Sequence, residues 1–365
     1  MHSWLKSSVS IALAVVVTGI HATSGVRAAD LPTDVRTSGS AQAMAPAISK
    51  YVVDQLALVQ TFGPRSSTAR EELCRQPEAT ATLSPSASFQ TTYVTAIIDG
   101  IQPMLANPDA GVRVNAGVVV SRVASATKSP NLQPLIQRLL ADESAAVAVW
   151  GNKAAGALLP SVLGQPFLAS NQKLTAGIKQ SAEKHHGSGA LVQDAYKALT
   201  DLAAVTPALP PAAINTATDA VLGLMNIRVN DWVLRLPADP QADRAATGYL
   251  ARNNVLTVMT PAMKLTTADR VIALLSVSVQ RAVKADAAQR DRIYGVAAAS
   301  AGALQVLMIV EGQQALSQQF AQLTKLPGGL SPAAAVKAVQ AAHAALKAVP
   351  AYAKLQELPT IKDAE

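Results

Sequence analysis

The stretch LANPDAGVRVNAGVVVSRVA, residues 105–124, decides the fold, because residues 140–159, LADESAAVAVWGNKAAGALL, repeat its pattern 35 positions later. Small or apolar residues stand at 112, 116, 119, 120 and 123 in the first copy and at 147, 151, 154, 155 and 158 in the second. This spacing places them on one face of an α-helix. A second set of apolar residues with helical spacing comes before the turn of each copy. Each unit is therefore predicted to consist of a helix, a short turn and a second helix. One such unit cannot bury its apolar faces alone, and we expect neighbouring units to stack.

The first unit resembles a short HEAT-like repeat. Such repeats carry an Asp before the second helix, then Val-Arg, then an Ala-rich buried face, and Asp109, Val112, Arg113 and Ala116 match that pattern. The resemblance covers about residues 97–160 and implies an α-solenoid of stacked helical hairpins.

The second unit matches the family at Leu140, Val147 and Ala155 but departs from it at two positions. Ser144 stands where the first unit has an Asp, and Ala148 stands where the family has an Arg. Asp142 lies nearby in the same turn. The resemblance implies an Asp–Arg ladder between repeats, with Asp109, Arg113 and Asp142 as the structural residues of the turns, and the two departures leave this ladder open for the second unit. A generic antiparallel helical bundle is the alternative.

The rest of the chain also has helical patterning, with Pro, Ser, Thr or Asp at the joints and no sustained period-2 alternation. We predict an all-α fold, with HEAT-like repeats in an N-terminal region, residues 29–206, and a further helical C-terminal region, residues 207–365. Pro207, Pro210 and Pro211 mark the boundary. One long helix is predicted over 287–323.

The N-terminus has the pattern of a secretory signal peptide over residues 1–28. Lys6 precedes an apolar stretch at 9–20, which is too short to span a bilayer of roughly 30 Å, and Val26 and Ala28 form a small-residue cleavage site. The mature protein is expected to be exported to a periplasmic or extracellular location. An uncleaved membrane anchor is the alternative.

A second apolar stretch, IYGVAAASAGALQVLMIV at 293–310, contains no charged residue. Its length fits a membrane span. Its many Ala, Gly and Ser side chains supply little apolar transfer energy, which favours a buried helix of the C-terminal region over a membrane helix.

Composition and motifs exclude several functions. The net charge is +7, but only 15% of residues are charged and 4% are aromatic, and no Lys/Arg block appears, so no nucleic-acid partner is expected. Nucleophile-elbow, P-loop and zinc-protease motifs are missing. We assign no catalytic, cofactor or metal residue and expect no cofactor; Glu183, His185 and His186 are interpreted as a solvated loop. The role of Cys74, a buried hydrophobe or a reactive thiol, stays open.

One segment, MNIRVNDWVLRLP, mixes aromatic and charged residues. Arg228, Asp231, Trp232 and Arg235 form a candidate recognition patch there, with amphipathic packing as the alternative.

Together these patterns favour an exported, non-enzymatic binding or scaffolding module whose partner is a protein or an envelope polymer. An all-α enzyme without a recognisable motif, and a membrane-associated protein using 293–310, are the alternatives.

Overall fold

A computed structural model describes residues 31–163, 168–204, 209–237, 239–326 and 330–362. The predicted signal peptide, residues 1–28, lies outside the described residues. The described chain is all-helical and contains no β-strand, which confirms the all-α prediction. The α-helices, α1 to α16 in chain order, are Thr33–Thr37, Ala45–Gln60, Ser66–Arg75, Ala87–Leu105, Ala110–Thr127, Gln133–Leu140, Ala145–Leu163, Leu168–Lys184, Gly189–Thr200, Pro211–Leu234, Gln241–Leu250, Asn253–Leu256, Pro261–Lys284, Ala287–Val310, Gln314–Leu323 and Pro332–Lys347.

Side-chain caps fix where several of these helices begin. Asp109 accepts a hydrogen bond from the backbone N–H of Gly111 at the start of α5, and Asp286 accepts one from Gln289 at the start of α14. Each cap satisfies a backbone donor that the first turn leaves without a partner. Helix α5 ends at Lys128, which takes a left-handed conformation.

The contacts between helices fall into two rows. Helices α4, α6, α8, α10, α13 and α16 contact one another in that order, and α5, α7, α9, α11, α14 and α15 do the same. The apolar core lies between the rows. The positions that repeat at 112, 116, 119, 120, 123 and at 147, 151, 154, 155, 158 are all buried in it.

The region boundary predicted at residues 206 and 207 falls between helices that contact each other. Helix α8 contacts α10, and α9 contacts α11, so the two rows continue from the N-terminal into the C-terminal region. The division into regions stays a prediction.

The prediction of a single helix over 287–323 is wrong, because the chain turns after α14 and forms two helices there. Gly312 has a φ of +70°, which glycine adopts without a steric penalty. Its N–H donates to the carbonyl of Ile309, and the N–H of Gln313 donates to that of Met308, the pattern of a Schellman C-cap. The chain therefore reverses, and α15 packs against α14.

Helix α14 contains the apolar stretch at 293–310. Among the described residues it is the one helix long and apolar enough to cross a membrane, and 56% of its most apolar window is buried inside the protein. It contacts α11, α13 and α15. Both interpretations of this segment stay predictions.

Candidate functional site

The turn residues predicted to form a ladder come together in the structure. The Nε and Nη2 atoms of Arg113 donate to the two carboxylate oxygens of Asp142 at 2.8 and 3.1 Å, across successive turns. The Nη1 atom of Arg113 also donates to the carbonyls of Asn107 and Pro108. The hydrogen bonds to Asp142 raise the pKa of the Arg113 guanidinium above its ordinary value. The Asp109 side chain caps α5, its backbone carbonyl accepts from the backbone N–H of Arg113, and its charge adds to the increase in the pKa of Arg113.

Asp142 has two further partners that extend this arrangement. Its carboxylate accepts from the backbone N–H of Ser144, just before α7. Its carbonyl oxygen accepts from Nε2 of His185, at 2.9 Å, which follows α8. The turns of three successive helix pairs are therefore joined by side chains. The sequence pattern gave no indication that His185 would take part.

The residues predicted as a recognition patch divide into buried and exposed members. Arg228 is 1% exposed, Trp232 is fully buried and Asp231 is 6% exposed, whereas Arg235 lies at the surface. Arg228 and Trp232 belong to an ion-paired cluster in the interior, and Arg228, Asp231 and Arg235 also line a small pocket beside it. The alternative of amphipathic packing describes Trp232 and Arg228 better.

That cluster, which we call the Arg228 network, is centred on the carboxylate of Asp243. Arg228 donates from Nε and Nη2 to the two oxygens at 3.0 and 2.8 Å, and Trp232 donates from Nε1 at 2.9 Å. The hydroxyl of Tyr196 lies 3.5 Å from the same carboxylate. Burial is the largest single influence and acts to lower the pKa of Arg228, but the charge and hydrogen bonds of Asp243, with the charges of Tyr196 and Asp231, together outweigh it, and the pKa lies above its ordinary value. Arg228 therefore stays a cation inside the protein.

Sequence reasoning missed Asp243, although a signal was present. Asp243 shares a helical face with Ala246, Thr247 and Leu250, the spacing of a core face, so a charge there requires a buried partner.

A small pocket of about 210 Å³ adjoins the Arg228 network, lined in part by His186, Asp231 and Arg235. Nδ1 of His186 lies 2.8 Å from one oxygen of Asp231. The other oxygen is buried without a hydrogen-bond partner and lies 3.7 Å from Nη1 of Arg228. His186, interpreted from sequence as part of a solvated loop, is thus partly buried against α10.

A larger groove of about 450 Å³ runs between α5, α7 and α9, three successive helices of one row; we call it the Asn152 groove. Its polar lining comes chiefly from Ser125, Asn152, Lys153, Asp194, Lys197 and Asp201. Asn152 is fully buried, and neither its amide oxygen nor its amide nitrogen has a hydrogen-bond partner among the described residues.

The charged residues of the Asn152 groove form pairs along its rim. Lys153 lies 3.7 Å from Asp194, and Lys197 lies 2.6 Å from Asp201. Partial burial raises the pKa of Asp194 above its ordinary value, against the opposing charge of Lys153. The rim therefore offers charges of both signs to a ligand.

Cys74 is placed in the core, on α3. Its side chain is fully buried, and burial raises the pKa of the thiol to about 12. A thiol that stays protonated and covered is a poor nucleophile. The structure therefore favours the buried-hydrophobe interpretation of Cys74 over the reactive one.

Comparisons with known proteins add little to this description. No family model and no curated protein matches the chain. Among solved structures it is similar to the crystal structure of an engineered protein, at 14% identity over 84% of this chain and 97% of that chain, with a TM-score of 0.24. At that TM-score the similarity carries no argument, so what is established is the class: an all-helical protein.

Proposed function

We propose that this chain is an exported helical-repeat protein of the HEAT-like type, and that it serves as a binding or scaffolding module for a partner in the cell envelope. The two rows of successive helix contacts and the side-chain links from Arg113 to Asp142 and from Asp142 to His185 support stacked hairpins. Stacked repeats form extended surfaces that bind partners, and each repeat contributes to the same surface.

The observation that carries the proposal is the Asn152 groove. It is open, it draws its lining from three successive helices, and it combines small side chains with paired charges. A binding surface that crosses several repeats requires these properties. Partners of such a groove are recognised by hydrogen bonds and charge, because its lining within the described chain contains no aromatic side chain.

A pull-down from the envelope fraction tests this function, with a pair of matched variants. Lys197→Glu reverses a charge of the groove, in an exposed i,i+4 pair with Asp201. Lys50→Glu reverses the charge of an equivalent exposed pair with Asp54 on α2, away from the groove. We expect the wild type and Lys50→Glu to retain the same partner and Lys197→Glu to lose it. A partner retained equally by both variants would place binding elsewhere, and recovery of no specific partner would refute the scaffold function.

Export is tested separately, by mass spectrometry of the protein purified from cells that express the full chain. Cleavage after Ala28 predicts a mature N-terminus at Ala29. A protein that keeps residues 1–28 and requires detergent for solubility would instead support the membrane-associated alternative.

A further inference from the structure

We propose that a groove along α13 binds extended peptide segments, and that residues 353–362, which we call the C-terminal strap, occupy it as an intramolecular ligand that a partner segment displaces. The strap follows α16 and contains no helix. It makes hydrogen bonds to α16, α13 and α10, three successive helices of one row. The Asn152 groove lies in the other row, so this inference goes beyond the proposed function and is tested separately.

Gln280 of α13 bonds to the backbone of the strap on two sides of one residue. Its carboxamide donates from Nε2 to the carbonyl of Pro359 at 2.9 Å and accepts the N–H of Ile361 at 3.1 Å. These groups belong to different peptide units, one before and one after Thr360, and in an extended chain they point to the same side. Main-chain hydrogen bonds of this kind give affinity for an extended segment whatever its sequence.

Asp269 bonds to the strap further toward the start of α13. Its carboxylate accepts the N–H of Gln356 at 2.9 Å, and the carbonyl of Gln356 accepts from Nε2 of His343 at 2.9 Å. Asp269 and Gln280 are separated by three helical turns, a rise of about 16 Å along the axis. The chain from Gln356 to Ile361 also spans about 16 Å when it is extended. The strap therefore runs extended and parallel to α13.

Small side chains between Asp269 and Gln280 leave room for the strap. Ala273 and Ser276 lie on the same face of α13 and are buried. The strap packs against the core with apolar side chains at every third position, which are Leu355, Leu358 and Ile361. Its residues 356, 357, 360 and 362 are exposed. The groove therefore fits an extended segment that has an apolar side chain at every third position.

The strap is bonded to the helices as a ligand is, and not as a core element. Among the described residues, one backbone–backbone hydrogen bond joins it to them, from the N–H of Lys362 to the carbonyl of Val233. Its ion pair, between Glu357 and Lys347, is exposed and adds little stability. Segments with few buried apolar contacts and solvent-exposed hydrogen bonds open locally at low free energy. We therefore expect the strap to open while the helices beneath it stay folded.

A partner segment would gain contacts that the described strap leaves open. The strap reaches the carbonyl of Val233 with Lys362, near the C-terminal ends of α10 and α13. Leu234 follows there and is exposed, and so is Val283, which shares the helical face of Ser276. Apolar side chains beyond the position of Lys362 would cover this surface. That gain allows a partner to compete with a tethered segment, whose effective concentration is about millimolar.

The test frees the groove without altering it. Leu358→Asp changes the strap alone, in the full chain, and should detach it because a carboxylate replaces an apolar contact with the core. The probe is a fluorescent synthetic peptide with the sequence of residues 353–362, titrated by fluorescence polarisation. It should bind Leu358→Asp at least about tenfold more tightly than the wild type, whose groove is occupied. A probe that binds neither protein, or both equally, would overturn the inference.

Recognition of the backbone has its own signature. Adding Gln280→Met to the Leu358→Asp protein removes two hydrogen bonds and should weaken probe binding at least about tenfold, whereas adding Lys50→Glu should not. N-methylation of the probe at Ile361 removes the N–H that Gln280 accepts and should also weaken binding. N-methylation at Thr360, whose N–H has no partner in the described chain, is the matched control. Equal effects within either pair would overturn the inference.

Hydrogen exchange of the wild type distinguishes a displaceable strap from a structural cap of the last helices. The amides of Gln356, Ile361 and Lys362 should exchange at least about a hundredfold faster than those of Leu274 and Leu275 in the middle of α13. Equal protection would mean that the strap opens only when the protein unfolds, and would overturn the inference. Loss of the fold in Leu358→Asp would overturn it too, because a displaceable ligand is not required for folding.

Lengthening the probe tests the surface that a partner would cover. A probe with a Leu-Leu pair after the position of Lys362 should bind Leu358→Asp severalfold more tightly than one with a Ser-Ser pair. Equal affinity would remove the advantage of a partner over the strap and overturn the displacement. A failure of these tests leaves the envelope function standing, because that function is tested through Lys197 in the other row. A failure of the pull-down likewise leaves the groove along α13 standing.

Discussion

Replacing Asp243 by Leu should be among the most destabilising changes available in this chain. Asp243 is fully buried and is the acceptor for Arg228, Trp232 and, at a longer distance, Tyr196. Removing it leaves the guanidinium of Arg228 buried with no carboxylate at hydrogen-bonding distance, since Asp231 lies 3.7 Å away. Breaking a buried ion pair on one side costs about 3 to 5 kcal/mol.

A double-mutant cycle with Arg228→Met measures how much of this loss of stability comes from the interaction between the two side chains. The double variant removes both charges of the pair, so its loss of stability should be well below the sum of the single losses. It still leaves the indole N–H of Trp232 and the hydroxyl of Tyr196 without their acceptor, at about 1 kcal/mol or more each. We therefore expect a coupling energy of at least about 2 kcal/mol between Arg228 and Asp243.

Thermal unfolding monitored by the fluorescence of Trp232 gives a local measurement. The chain contains three tryptophans, and in a Trp4→Phe, Trp150→Phe background only Trp232 reports. At about 2 °C per kcal/mol for a domain of this size, Asp243→Leu should lower the melting temperature by about 6 to 10 °C.

A matched surface variant provides the control. Arg122 pairs with Glu78 and Glu71 in a partly exposed cluster, so Arg122→Met should cost no more than about 1 kcal/mol. If Arg228→Met and Asp243→Leu each cost no more than about 1 kcal/mol of stability, the assignment of the pair as a buried structural unit is refuted. It is also refuted if the two losses of stability simply add in the double variant.

Two substitutions and one labelling experiment test the packing of the N-terminal half. Val119→Asp should destabilise by roughly several kcal/mol in urea unfolding, because it places an unpaired charge in the core; normal stability would show that this face is not buried. Gly151→Ala should cost about 1 to 3 kcal/mol, since the new Cβ would lie 2.8 Å from the backbone nitrogen of Leu140, and an unchanged melting temperature would contradict that close approach. Cys74 should react with iodoacetamide at pH 8 far more slowly in the native protein than in urea, because its side chain is fully buried and burial raises the pKa of the thiol to about 12; equal rates would disprove its burial.

The sequence pattern predicted the helical class and the core face of the repeated unit because both depend on local periodicity. Val119, Val120, Ala154 and Ala155 are all fully buried, as their 3.6-residue spacing indicates. The turn residues Arg113 and Asp142 could also be paired from the repeat, since equivalent turns of stacked units lie side by side.

The interior polar contacts could not be predicted in the same way. Arg228 and Asp243 lie on different helices, and no local pattern indicates which charge on one helix meets which charge on another. The break after α14 was missed for a different reason. Gly312 follows a long apolar stretch, and a glycine at that position is compatible with either a continuing helix or a C-cap until the packing of α15 against α14 is known.

In this chain, the hydrogen-bond partners of buried polar groups show which of those groups have a structural role, whereas sequence motifs do not. The carboxylate of Asp243 accepts hydrogen bonds on both oxygens, so its burial is explained by the protein itself. Asn152 is buried to the same degree, but the described chain supplies nothing that its amide can bond. Natural sequences tend to depart from local consistency at functional positions. Asn152 is such a departure, and it lies on α7, which packs against α5 and α9.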